Sequence, residues 1–160
     1  MNRKLQIEKG LSTEVLALMA DWQEIRGCFY LADHVQNHYG KETLLDILNH
    51  PGKQFIPFAR DGEESVVLIQ KSRIVGLQPS GSATDHWPRP QDSDEDCWPP
   101  AKMAFAGFTL EGRAYTGDMP PYRRRLADLL NYGPTFFVIE TDDGPWIVNR
   151  DLLNQLVPLA

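Results

Sequence analysis

The chain holds only 2 cysteines among 160 residues, which excludes a disulfide framework as the source of its stability. Cys28 lies in an apolar, strand-like run and reads as a buried small hydrophobe, whereas Cys97 lies in a polar stretch and reads as exposed. No stretch approaches the ~18 consecutive apolar residues of a membrane-spanning helix. The opening MNRKLQIEKG carries no apolar segment of signal-peptide type. The expectation is a soluble cytoplasmic protein that makes no membrane contact. Basic residues are in the minority: 16 Lys and Arg against 22 Asp and Glu leave a net charge of -6. Polyanion binding needs a cationic face, so the balance argues against nucleic acid as a partner.

Chemical motifs are missing as well. The chain has no G-x-S-x-G, no phosphate-cradling glycine loop, no H-E-x-x-H and no paired C-x-x-C. His34 and His38 are four apart, but LADHVQNHYG reads as a loop with Asp33 as the one acidic neighbour. His86 and Cys97 lack ligand spacing, and Cys28 sits in a strand context that argues against a nucleophile. The reading is therefore no metal, no cofactor and no enzymatic activity.

What is present is a passage written twice. Thr43 to Leu77 contains TLLDILN, FIPF and VVLIQKSRIVGL; Arg125 to Leu156 contains RLADLLN, FFVIE and WIVNRDLLNQL. Asp46, Leu48 and Asn49 recur as Asp128, Leu130 and Asn131, a shift of 82; IRGCFY and LEGRAY align at 85, and Gln70-Lys71 and Asn149-Arg150 at 79. Each change of shift falls in a turn-like stretch, where small insertions belong. Copies of about 60 residues bury little surface alone, so the two are expected to pack together and share a core.

Each copy reads strand, strand, short helix, strand, strand, closing piece. EVLALMA and MAFAGFTL begin a hairpin in their copies, with corners at Asp21-Trp22-Gln23 and near Leu110-Glu111-Gly112; Gly27 and Gly112 occupy matching places inside strands, as at bulges or bends. Leu44, Ile47 and Leu48, and Leu126, Leu129 and Leu130, have the spacing of one apolar helix stripe. Pro120-Pro121 suits the start of the second helix. Asn49 and Asn131 precede Pro51 and Pro134 and suit a left-handed helix close. Asp61-Gly62 and Asp143-Gly144 mark hairpin turns. The closing piece, Ile74 to Leu77 or Leu152 to Leu156, fits a strand or one helical turn. The fold class is mainly β, with α+β at its margin: two tandem antiparallel, partly open barrels of SH3- or Sm-like type, each with one short helix. The boundaries are 11–79 for the first unit, 80–100 for a linker and 101–160 for the second. The linker holds four prolines and the acidic residues Asp85, Asp92, Asp94, Glu95 and Asp96 against Arg89, a composition that builds no core. Its Trp87 and Trp98 are costly in water and are expected to dock on the barrels or on a partner.

The second copy, with GRAY, RRRLADLLN, FFVI and IVNRDLL, resembles a family of short bacterial domains of unknown function. Its pattern runs G-x-[VLA], R-x-S-D-x-L-N, a Phe-rich strand and I-N-K-x-x-I. The match covers Phe105 to Leu156; the first copy lacks the arginine and is longer over His50 to Gly62. The resemblance implies no activity. The layout is also similar to Sm-like barrels, which bind RNA, a comparison the acidic balance opposes.

Because the copies provide an internal control, residues found in both read as structural: Asp46 and Asp128, Asn49 and Asn131 belong to helix ends and turns. Tyr122, Arg123, Arg124 and Arg125 occur in one copy only, opposite Gly40 to Thr43, so the fold does not demand them. Arginine forks match phosphates and carboxylates. One use is a nucleotide site: R-R-R before D-x-L-N-x-G resembles the cyclic-dinucleotide motif of PilZ barrels, but lacks its serine and compresses its spacing. The other is pairing with the acidic linker or with a partner's carboxylates. The function read from the sequence is a non-enzymatic tandem-repeat module that binds another protein, with Tyr122 to Arg125, Trp87 and Trp98 as its contacts and self-association through strand edges open to it. The alternative is a small regulatory domain that binds a nucleotide or other anion at Tyr122 to Arg125.

Overall fold

In the computed structural model, which describes residues 11–31, 43–80 and 94–159, one succession of elements occurs twice. The first half runs β1 (Leu11–Met19), β2 (Glu24–Leu31), α1 (Leu44–Leu48), β3 (Phe55–Arg60), β4 (Val66–Gln70), a 3-10 turn (Lys71–Arg73) and β5 (Ile74–Pro79). The second runs β6 (Pro100–Phe105), β7 (Phe108–Ala114), α2 (Leu126–Tyr132), β8 (Phe136–Thr141), β9 (Gly144–Asn149), a 3-10 turn (Arg150–Leu152) and β10 (Leu153–Pro158). The closing piece is thus a strand in both halves, entered through a 3-10 turn.

All ten strands join one antiparallel sheet in the order β10-β6-β7-β8-β9-β5-β1-β2-β3-β4. Each half contributes five adjacent strands in the same relative order. The halves meet where β9 pairs with β5, Gly76 opposite Val148 and Leu77 opposite Ile147. The sheet is open and continuous, where two tandem, partly open barrels were expected. β5 is paired with β1 and β9, and β9 with β8 and β5, so both edges of each are occupied and neither is free to close its own half. The outer edges of the sheet are β10 and β4.

Matching sequence positions make matching local structure. Gly27 in β2 and Gly112 in β7 lie where the neighbouring strand presses closest. A Cβ on Gly27 would run into the Ala59 carbonyl oxygen, and one on Gly112 into that of Glu140. Both glycines are therefore required by contact, not by turn geometry. The hairpin corner of the second half falls at Ala106-Gly107 instead of Leu110 to Gly112, which lie inside β7. Pairing of β5 with β1 slips between Ile74 and Gly76, and pairing of β10 with β6 slips between Leu153 and Gln155, one bulge at equivalent places.

The helices start as their carboxylates dictate. The Asp46 carboxylate accepts from Thr43 N–H at 2.8 Å, while Thr43 Oγ1 accepts from Asp46 N–H, a reciprocal cap of the first turn. Asp128 accepts from Arg125 N–H at 3.3 Å. Pro120-Pro121 lie in the turn ahead of α2, not in its first turn. Neither helix closes through a left-handed residue: Asn49 has φ -91° and Gly133 has φ -81°. The carbonyls at the C-terminus are held instead by the following 3-10 turn. Lys71 Nζ donates to Ile47 O at 3.2 Å and His50 O at 2.6 Å, and Arg150 donates to Gly133 O at 2.7 Å. Burial, and secondarily Lys53, lowers the pKa of the Lys71 ammonium.

Successive strand residues point to opposite faces, and two cores form on opposite faces of the central strands. The first gathers Phe29, Leu44, Leu48, Phe58 and Leu77 of the first half with Phe136, Val138 and Ile147 of the second. The second gathers Met103, Leu129, Phe137, Ile139 and Val148 of the second half with Leu18 and Val75 of the first. The expected single shared core is replaced by two, because adjacent residues such as Ile147 and Val148 face opposite ways. Each half thereby roofs the core of the other.

Candidate functional site

The four residues singled out around the second helix do not converge. Tyr122 is 80 % exposed. Arg123 is exposed and lies over the Tyr132 ring at 4.5 Å and the Tyr122 ring at 5.9 Å. Arg124 turns inward: its guanidinium donates to Met119 O at 3.1 Å and Gly117 O at 3.4 Å, and reaches Cys97 Sγ at 3.6 Å. Arg125 projects into solvent and pairs with Asp128 at 3.3 Å. Three guanidiniums are thus directed to a ring, a loop and a helix start. Cys97, expected in water, is fully buried, and its carbonyl accepts from Thr116 N–H at 2.8 Å and Thr116 O–H at 3.1 Å. The half-buried Trp98 packs on the first core and tilts against Tyr115 with centroids 4.9 Å apart. It therefore docks on the sheet. Trp87, His34, His38 and His86 lie outside the described residues.

Cys28 corrects the other cysteine reading: it is half-buried. Its thiol pKa is pushed up, chiefly by burial and then by the carboxylates of Glu14 and Asp61, which disfavours a nucleophilic thiolate.

The feature that sequence reasoning missed is a mismatch between equivalent surfaces. In the second half the outward face of β8 and β9 is covered: Phe136 is 2 % exposed and Ile147 0 %. Asn49, at the end of α1, clamps this surface across the halves. Its side chain accepts from Phe136 N–H at 2.8 Å and donates to Phe136 O at 3.0 Å. Asn149 adds a bond from its side chain to Ile74 O at 3.0 Å. The same positions in the first half are Phe55 and Leu68, and they are 53 % and 61 % exposed. Beside them opens a cleft of about 340 Å³ between the β1–β2 turn and the β4 edge, lined by Met19, Ile25, Phe55, Val67, Leu68 and Arg73. The sequence signal was VVLI at Val66 to Ile69. An uninterrupted apolar run is the pattern of a strand buried on both faces, yet β4 is an edge strand.

Searches of protein-family models, curated proteins and solved structures returned no match. Among the described residues no helix is long and apolar enough to cross a membrane.

Proposed function

We propose that the chain is a tandem pair of one small β-unit, and that it works as a non-enzymatic protein-interaction module through the strands at the ends of its sheet. The observation that carries the reading is the bare outward face of β3 and β4, where Phe55 and Leu68 stand in water at positions whose counterparts are buried. Apolar side chains gathered beside an unpaired backbone edge favour a protein that supplies both a strand and an apolar surface. Trp98 serves the docking of the linker end, so the working contacts move from the linker to the sheet edge. Tagged full-length protein is expected to retain a partner, and Leu68→Asp is expected to release it. Failure to retain any protein, together with measured turnover of a small substrate, would overturn the reading.

The anion-binding alternative rests on Arg123 and Arg125, the arginines of the cluster that reach solvent. Its test is a thermal-shift screen with nucleotides, since a ligand at 100 times its Kd adds about 2.7 kcal/mol.

A further inference from the structure

We propose that the partner at the β4 edge is a second copy of this chain, which docks its β10 edge and α2 there and so repeats between chains the β9–β5 junction found within one. This rests on the interaction reading above and names its partner.

Within the chain, the two sides of the junction are unlike. One side is β5 with the end of α1; the other is the outward face and edge of β8 and β9. Each half owns one surface of each kind, so joining them once leaves one of each unused. The unused pair is β10 with α2, at one end of the sheet, and β3 with β4, at the other. These surfaces are complementary by construction, because each is the sequence counterpart of a surface already paired.

The leftover surfaces keep several details of the used ones, although Gln155 stands where Gly76 lies close against β9. β10 carries the same bulge as β5. Asn131 matches Asn49, but its side chain donates to Ala127 O of its own helix at 2.9 Å instead of bridging to a strand. Its counterpart target is the backbone of Phe55. Leu130, Leu153 and Leu156 flank the second core half-covered, whereas their counterparts Leu48, Ile74 and Leu77 are buried. Leu68 and Phe55 of an incoming chain supply the missing cover, as Ile147 and Phe136 do inside it. Neither edge is protected by charge: β4 reads VVLIQ and β10 reads LNQLVP. Single-chain proteins blunt exposed edges with lysine or inward charges, and here the one blunting residue is Pro158 at the tip.

The junction also predicts the register. Leu77 opposite Ile147 and Gly76 opposite Val148 translate to Leu156 opposite Leu68 and Gln155 opposite Ile69. Such a contact is head-to-tail, so it produces a ring where the rotation closes and a filament where it does not.

The test is the mass of the full chain in solution by light scattering after size exclusion. Wild type is expected above the 18.2 kDa of one chain. Leu68→Asp places a carboxylate opposite Leu156, and Gln155→Asp places one opposite Ile69. Both positions are exposed in one chain, so circular dichroism is expected to show unchanged folding, and each variant alone is expected at 18.2 kDa. Mixed together, the two are expected to form a species of twice that mass and stop there, since each keeps one intact edge. Wild type that stays at the mass of one chain overturns the proposal and leaves the interaction reading to its own pull-down. Assembly that survives both substitutions, or variants that stay apart when mixed, also overturns it. If either aspartate variant unfolds, the lysine variant at the same position replaces it in the mixture.

Discussion

Phe136 and Phe55 hold the same place in the two halves, and so do Ile147 and Leu68, yet one pair is sealed and the other faces water. The strands that carry them have the same order, the same hairpins and the same following 3-10 turn. Local structure is therefore indifferent to whether the outward face is covered. Coverage comes from the neighbour in the sheet, and the second half has one on that side while the first does not. Identity shared between the halves does not by itself tie a residue to the unit: Asn49 has its match in Asn131, yet it is Asn49 that serves the junction.

This comparison can be broken most forcefully at the helices. Leu48→Ala is expected to cost about 2–5 kcal/mol, because the side chain is buried in the first core, to which β8 adds Phe136 and Val138. Leu130→Ala should cost clearly less, since it is half-covered. Equal losses in denaturant titrations would mean that β8 adds nothing to the first core. Next come the two glycines. Gly27→Ala and Gly112→Ala should each lose about 1–3 kcal/mol or more, because the added methyl meets a strand carbonyl. A harmless substitution at one of them would show that the sheet bends differently in that half.

Asn49→Ala removes both bonds to the Phe136 backbone and leaves its N–H and carbonyl to find new partners, a loss of about 1–3 kcal/mol. Asn131→Ala, whose side chain bonds within α2, should change the stability of the single chain by less than about 0.5 kcal/mol. A thermal melt of the pair measures that contrast, and equal melting points would remove the clamp from the junction. The smallest effect is chemical. Cys28 should alkylate more slowly near neutral pH than an ordinary thiol and accelerate only above the usual thiol range, because its pKa is raised. Cys97, fully buried, should react only when the chain opens. Mass spectrometry of a timed alkylation tells them apart, and fast labelling of Cys97 in folded protein would contradict its burial.

Much of the unit was legible because its signals are local. The leucine stripes, the capping aspartates Asp46 and Asp128, the corner at Asp61-Gly62 and the glycines at 27 and 112 each act over a few residues and are found where the sequence put them, whereas the second corner falls at Asp142-Asp143 with Gly144 already in β9. Less legible were the ends of the helices, where Lys71 and Arg150 do the capping from a turn more than fifteen residues away. Cys97 was misread for a similar reason: its polar neighbours gave no hint of the inward-turned Arg124 and the Thr116 bonds that bury it. The arginine cluster was visible as composition, but side-chain direction disperses it.

By itself, the sequence determined that one β-rich succession occurs twice, because period-two and helical apolar patterns and turn residues are read over short distances. Only the tertiary structure decided that the two meet through β9 and β5, that the sheet stays open, and which outward faces end in water. Edge pairing is made by backbone groups that every residue carries, so no local pattern names the strand that will lie alongside.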